Sequence, residues 1–148
     1  MKAMIMVFGL VLAITQVNAQ KMNAKDVPAN VKNSLEKSYA VKDADWDKEG
    51  ANYEASFEQK GIEISVVFDG AGSILETEHE IKTNELPTEI LDALKRDYAD
   101  FKIEEAARIE TKGMITYETE IEKGRMSLDL IFEASGKLIK KNIVEEKD

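Results

Sequence analysis

Apolar residues recur every four positions in two stretches of the chain, Val31, Leu35, Tyr39 and Ile90, Leu94, Tyr98, and every two positions in the segments that follow each. The four-residue spacing predicts a helix with one face built for burial, opened by Pro28 or Pro87 in its first turn. The two-residue spacing predicts half-buried strands. In the first stretch these are Tyr53, Ala55, Phe57 and then Ile62, Ile64, Val66, Phe68; in the second they are Tyr117, Thr119, Ile121 and then Met126, Leu128, Leu130, Phe132. Lys60-Gly61 and Lys123-Gly124 mark tight hairpins between the strands. A strand precedes each trio near Ala44 to Glu49 and Ile103 to Glu110, and another closes it, roughly Ser73 to Lys82 and Lys137 to Val144.

The two stretches are one pattern written twice. Val27 to Ala40 lies on Leu86 to Ala99, matching Val/Leu-Pro, Val31 with Ile90, Leu35 with Leu94 and Tyr39-Ala40 with Tyr98-Ala99. Further on, Tyr53 pairs with Tyr117, Ile64 with Leu128, Phe68 with Phe132 and Gly72 with Gly136, while Trp46 falls by position on Arg108. The expected fold is α+β: a tandem repeat of one helix followed by about four antiparallel strands, with two helices packed on one face of a sheet of about eight strands. The repeats occupy residues 27–83 and 84–144, after a linker at 20–26 and before a tail at 145–148. With the apolar sets turned inward, Glu54, Ser56, Glu58, Glu63, Ser65, Glu118, Glu120, Glu122, Ser127 and Asp129 fall outward together, so the uncovered sheet face is acidic.

The duplication also decides the reading of Gly70 and Gly72, whose spacing could suit a phosphate cradle, a metal loop or a turn. The second copy keeps Gly136 but has Ala134 in place of Gly70. A phosphate cradle opens a helix, and both copies here run from strand to strand, so a turn is expected with Gly72 at positive φ.

Composition narrows the setting. Lys2, an apolar run from Met4 to Ile14 and the small residues of Val17-Asn18-Ala19 read as a signal peptide, residues 1–19, cleaved near Ala19-Gln20. The run is shorter than the roughly 20 residues a stable membrane anchor needs, which predicts a periplasmic or secreted chain. Cysteine is absent, excluding disulfides, thiolate metal sites and cysteine nucleophiles. The net charge of -9 disfavours nucleic acid and anionic membranes and favours a basic or neutral protein or peptide as partner.

The helix ending in Tyr-Ala, the Ala-Asp-Trp of Ala44 to Trp46, Tyr53 with Phe57, and the set Val66, Phe68, Asp69 and Gly72 resemble the PepSY-like, β-lactamase-inhibitor-like periplasmic proteins of Bacteroidetes. The resemblance covers about Val27 to Lys141. It implies tandem helix-plus-strands repeats behind a signal peptide and a non-enzymatic binding or inhibitory module. Comparison with the secreted β-lactamase inhibitors implies that a partner is bound on the open sheet face.

Catalytic chemistry finds little to work with. His79 is the single histidine, and its neighbours Glu78 and Glu80 point to the other side of a strand, away from its imidazole. Ser65 and Ser73 have no second histidine to serve them. Asp43, Asp45, Asp47 and Glu54 match places one, three, five and twelve of a calcium loop, but Lys48 stands where that loop needs glycine; Asp43, Asp45 and Asp47 are left as weak metal candidates, and the alternative function is a cation-binding (calcium) envelope protein using the Asp43 to Asp47 edge. No cofactor is expected. Trp46 has two readings, core packing or a rigid aromatic anchor for a partner. The partner-binding set expected from the sequence is therefore Glu54, Glu58, Glu63, Glu118, Glu120, Asp129 and Trp46.

Overall fold

The structure is a computed structural model and describes residues 20–146, with side chains as far as residue 144. The signal segment expected at 1–19 and the end of the tail lie outside the described residues. Strand β1 (Gln20–Met22) precedes helix α1 (Ala29–Tyr39) and strands β2 (Asp45–Glu49), β3 (Asn52–Gln59), β4 (Ile62–Phe68) and β5 (Ile74–Ile81). Helix α2 (Thr88–Asp97) follows, with strands β6 (Lys102–Thr111), β7 (Met114–Lys123), β8 (Met126–Glu133) and β9 (Leu138–Glu146). The strands hydrogen-bond in chain order in one nine-stranded sheet.

One helix followed by four strands thus occurs twice, as the two periodicities predict. The ninth strand, beyond the eight expected, is β1. It lies in the segment read as a linker and pairs antiparallel with β2, Met22 across from Trp46. No apolar alternation announces a three-residue strand, because a neighbouring edge with unpaired backbone groups is enough to hold it.

Two compact units make up the chain. Among the described residues, the first comprises 20–56 with Val66–Glu76, the second Phe57–Ser65 with 77–146. Each helix begins just after its proline rather than on it. Pro28 and Pro87 keep extended ψ values of 141° and 142°, and their carbonyls accept the first helical hydrogen bonds, from Val31 and Lys32 and from Ile90 and Leu91. A proline is suited to that place because it has no N–H to leave unpaired.

In the first unit α1 buries Val31 and Leu35, and the Trp46 ring lies 6.3 Å from that of Phe68 between centroids. In the second unit α2 contributes Ile90, Ala93 and Leu94 to a core with Ala106, Ile121, Leu128, Leu130 and Phe132. The turns after β4 and β8 press on their own helices. A Cβ on Gly72, at φ +86°, would stand 2.9 Å from the Asn30 carbonyl oxygen, and one on Gly136, at φ +80°, would collide with the Glu89 carbonyl. Both glycines are therefore required twice over, by a left-handed turn and by close approach to a helix. Gly70 has open space around it, and its carbonyl accepts a hydrogen bond from Asn30 Nδ2 at 2.9 Å.

Candidate partner-binding face

Strand register fixes which side chains stand together. In the first unit Trp46 is across from Ala55, and Asp47 is across from Glu54. In the second, Ala106 is across from Thr119 and Ala107 is across from Glu118. Since Ala55 aligns with Thr119 and Glu54 with Glu118, the structural equivalent of Trp46 is Ala106, two residues from the Arg108 that position alone indicates. Arg108 instead takes the place of Lys48, each being across from a tyrosine, Tyr117 and Tyr53.

Trp46 does not serve as a surface anchor. It is 3% exposed and packs against Phe68 on the core side of the ladder, so the partner-binding expectation for it is corrected. Its bulk closes a small core in which its opposite number, Ala55, supplies only a methyl group.

The acidic residues do gather on the side opposite the core, but in two sets and at unequal depth. In the first unit, Asp47 and Glu54 are buried, with Glu76 and the half-buried Glu49 beside them. Glu49 binds its proton more tightly than an ordinary carboxyl, first because burial removes water and then because of the charges on Glu76 and Asp47; a hydrogen bond with Glu54 opposes the shift.

In the second unit, Glu105, Glu120 and Asp129 stand directly across from one another on β6, β7 and β8. Glu105 is pushed up to about 7 by burial, and then by the charges of Glu120, Glu80, Glu63 and Glu104. Asp129 is pushed up to about 6 by burial and by Glu120, with Lys140 opposing. Ser127 donates from Oγ to Glu120 Oε1 at 2.6 Å. Like charges directly opposite on adjacent strands are destabilising, and here three occupy one row.

Glu58 and Glu63 are exposed as expected, Glu120 and Asp129 are half-buried, and Glu54 and Glu118 are buried, each 8% exposed. The expectation that Glu54, Glu118 and Ser127 lie in solvent is corrected. Alternation along a strand gives the side to which a residue points, not its exposure, and on this side Ala107, Ile109 and Ile131 are buried too. Glu105 and Glu80 were missed as members of the set. Register could have indicated Glu105, which the irregularity between Ile103 and Glu105 moves out of simple alternation.

The metal candidates do not converge. Asp43 and Asp45 are exposed while Asp47 is buried, and among the described residues no group of three or more ligating side chains is arranged to hold a metal ion. His79 is half-buried, and its proton is held less tightly than usual, through burial and the charge of Arg108, with Glu110 opposing.

The protein family described as "Putative beta-lactamase-inhibitor-like, PepSY-like" matches residues 14–76 and, a second time, residues 51–140. The chain belongs to this family. Similar solved structures carry the same fold. A "putative" periplasmic protein of Bacteroides eggerthii superposes with a TM-score of 0.74 at 17% identity, over 80% of this chain and 89% of its own. A DUF2874 family protein of Bacteroides uniformis gives 0.72 at 20% identity, over 79% and 89%. A BLIP-like protein of Bacteroides fragilis gives 0.66 at 25% identity, over 82% and 89%. No curated protein matches the sequence. The PepSY-like assignment agrees with the inhibitor-like rather than catalytic character expected from the sequence, and among the described residues no helix is long and apolar enough to cross a membrane.

Proposed function

We propose that this PepSY-like chain is a non-enzymatic periplasmic or secreted module that binds a basic or neutral protein or peptide on its acidic face, and that binding serves to hold or inhibit that partner. The observation that carries this reading is the row Glu105, Glu120, Asp129. Burial and the charge of Glu120 raise the proton affinity of Glu105 and of Asp129, the like charges in register weaken the sheet that bears them, and a cationic partner relieves both effects. Glu58 and Glu63, exposed in the same unit, extend the attraction outward, where it speeds encounter and gives a salt-dependent affinity. The family's inhibitor-like description and the BLIP-like neighbour support protein binding as the kind of work done.

The test is affinity capture from periplasmic extract with the mature chain and with a variant carrying Glu58→Gln, Glu63→Gln, Glu120→Gln and Asp129→Asn. A protein held by the wild type at low salt and released both by the substitutions and by high salt is the expected result. Equal recovery on the two baits would sink the reading. Adding the purified chain to a β-lactamase assay tests the inhibitory form directly.

A further inference from the structure

The first unit buries three carboxylates side by side. Asp47, Glu54 and Glu76 are 8%, 8% and 3% exposed, and Glu49 is half-buried next to them. Asp47 and Glu54 are register partners on the side away from Trp46, so the Asp47 carboxylate is directed into this group. Its Oδ1 is buried and has no hydrogen-bond partner. Lys21, across from Asp47 on β1, is exposed and leaves that oxygen unsatisfied. A buried carboxylate oxygen without a donor is strongly unfavourable, and such a group is retained where something else supplies the donor.

The second unit shows what the fold itself requires at these places. By register, Ala107 stands for Asp47, Ile109 for Glu49 and Glu118 for Glu54; by the same offset in sequence, Lys140 stands for Glu76. The fold therefore needs no carboxylate at 47 or 49. Where the second unit keeps its buried glutamate, Glu118, the same cross-strand row runs on through Ile131 to Lys140. The equivalent row in the first unit has an acid where that lysine stands.

We propose that Asp47, Glu49, Glu54 and Glu76 form a seat for one alkylammonium group, the side chain of a lysine on the bound partner. The inference rests on the acidic-face reading and applies it to the first unit by itself. Entry is by the β2–β3 turn, where Gly50 and Ala51 are exposed and Glu49 forms the mouth. A lysine suits this entry because its charge is compact and rides on a thin, flexible stem, whereas a guanidinium needs a flat, open site for its fork. A metal ion suits it less, since among the described residues no three carboxylates are arranged for one, while an ammonium donates to three separate acceptors at ordinary hydrogen-bond lengths.

Calorimetric titration of the mature chain with a decalysine peptide, and separately with cadaverine, tests the seat at low salt. The wild type binds decalysine; Asp47→Asn weakens binding by about tenfold, as does Glu49→Gln, while Asp92→Asn, an equal charge change on the exposed side of α2, changes it by less than about twofold. Asp47→Asn also raises the melting temperature of the free chain, because it removes a buried charge with no donor. Cadaverine binding that Asp47→Asn abolishes supports the seat and makes a free amine a sufficient occupant; decalysine binding alone, equally sensitive, supports a protein lysine. If Asp47→Asn and Glu49→Gln bind decalysine as the wild type does, the seat is wrong and the acidic face stands. If Asp47→Asn melts lower or does not fold, Asp47 has an internal role and the seat is again wrong. If the wild type ignores decalysine, the seat is wrong and the acidic face takes no basic partner, which leaves a neutral one.

Discussion

Three consecutive residues separate the two units: Trp46, Asp47 and Lys48 in one, Ala106, Ala107 and Arg108 in the other. The backbone places are the same, each facing an equivalent residue on the next strand. On the core side, the first unit fills its place with an indole against Phe68, and the second leaves a methyl group among Ile121, Leu128 and the residues of α2. On the opposite side, the first unit buries a carboxylate where the second buries a methyl. In both, a cation lies across from a tyrosine; the Lys48 ammonium sits 3.7 Å from the centroid of the Tyr53 ring. The fold thus tolerates wide variation at 46 and 47, and the residues found there reflect the needs of each unit, packing in one case and charge in the other.

The comparison can be broken most forcefully in the core. Trp46→Ala should cost about 3–5 kcal/mol in urea unfolding, because the cavity has no neighbour large enough to fill it. If the loss is no greater than that of a surface substitution, the indole is not holding the first unit together.

The turn glycines come next. Gly136→Ala should cost about 3 kcal/mol and Gly72→Ala somewhat less, about 2 kcal/mol, since both put an L side chain at positive φ but the new Cβ meets the Glu89 carbonyl more closely than the Asn30 carbonyl. Equal losses would mean that the left-handed turn matters and the helix contact does not. Gly70→Ala, with open space and no positive φ, should change stability by less than about 0.5 kcal/mol.

The carboxylate row makes a smaller and oppositely signed effect. Glu105 and Asp129 have folded proton affinities raised above their unfolded values, so the stability linked to them is fully present below the unfolded values and is lost as pH rises through the folded ones, about 7 and about 6. Glu105→Gln and Asp129→Asn should therefore raise the melting temperature at pH 7.5, by roughly 2–4 °C if solvent screening leaves about 1 kcal/mol. The gain should shrink as pH falls toward 5. A melting temperature lowered at pH 7.5 would show that the row is satisfied internally. The smallest effect belongs to the exposed pair Lys123 and Asp100, 2.8 Å apart: Asp100→Asn should leave the urea unfolding midpoint unchanged, because solvent screens an exposed pair.

Much of the fold was legible because its signals are local. The fourfold spacing of Val31, Leu35 and Tyr39 gives way to the twofold spacing of Tyr53, Ala55 and Phe57 at the places where α1 ends and the strands run, and the same change recurs in the second unit. Strand β1 was not legible, because Gln20–Met22 has no pattern of its own and exists through pairing with β2. For the candidate face, the side to which each glutamate points was readable from alternation, as Glu120 and Asp129 illustrate. Its depth was not: Glu63 is exposed and Glu54 is buried, though both read as outward. Glu105 joins the row through an irregularity in β6 that shifts alternation by one residue, which no periodicity count registers.

The sequence by itself determined the class of fold, the repeated order of helix and strands, and the acidic character of one side, since helix and strand periods and net charge are properties of neighbours along the chain. Only the tertiary structure decided that Trp46 belongs to the core, that Ala106 rather than Arg108 is its equivalent, that Gly72 and Gly136 press against helices, and that the acids form a buried group in one unit and a cross-strand row in the other. Those outcomes depend on strand register and on what lies across the sheet, and residues distant in sequence become neighbours only when the backbone hydrogen bonds are formed.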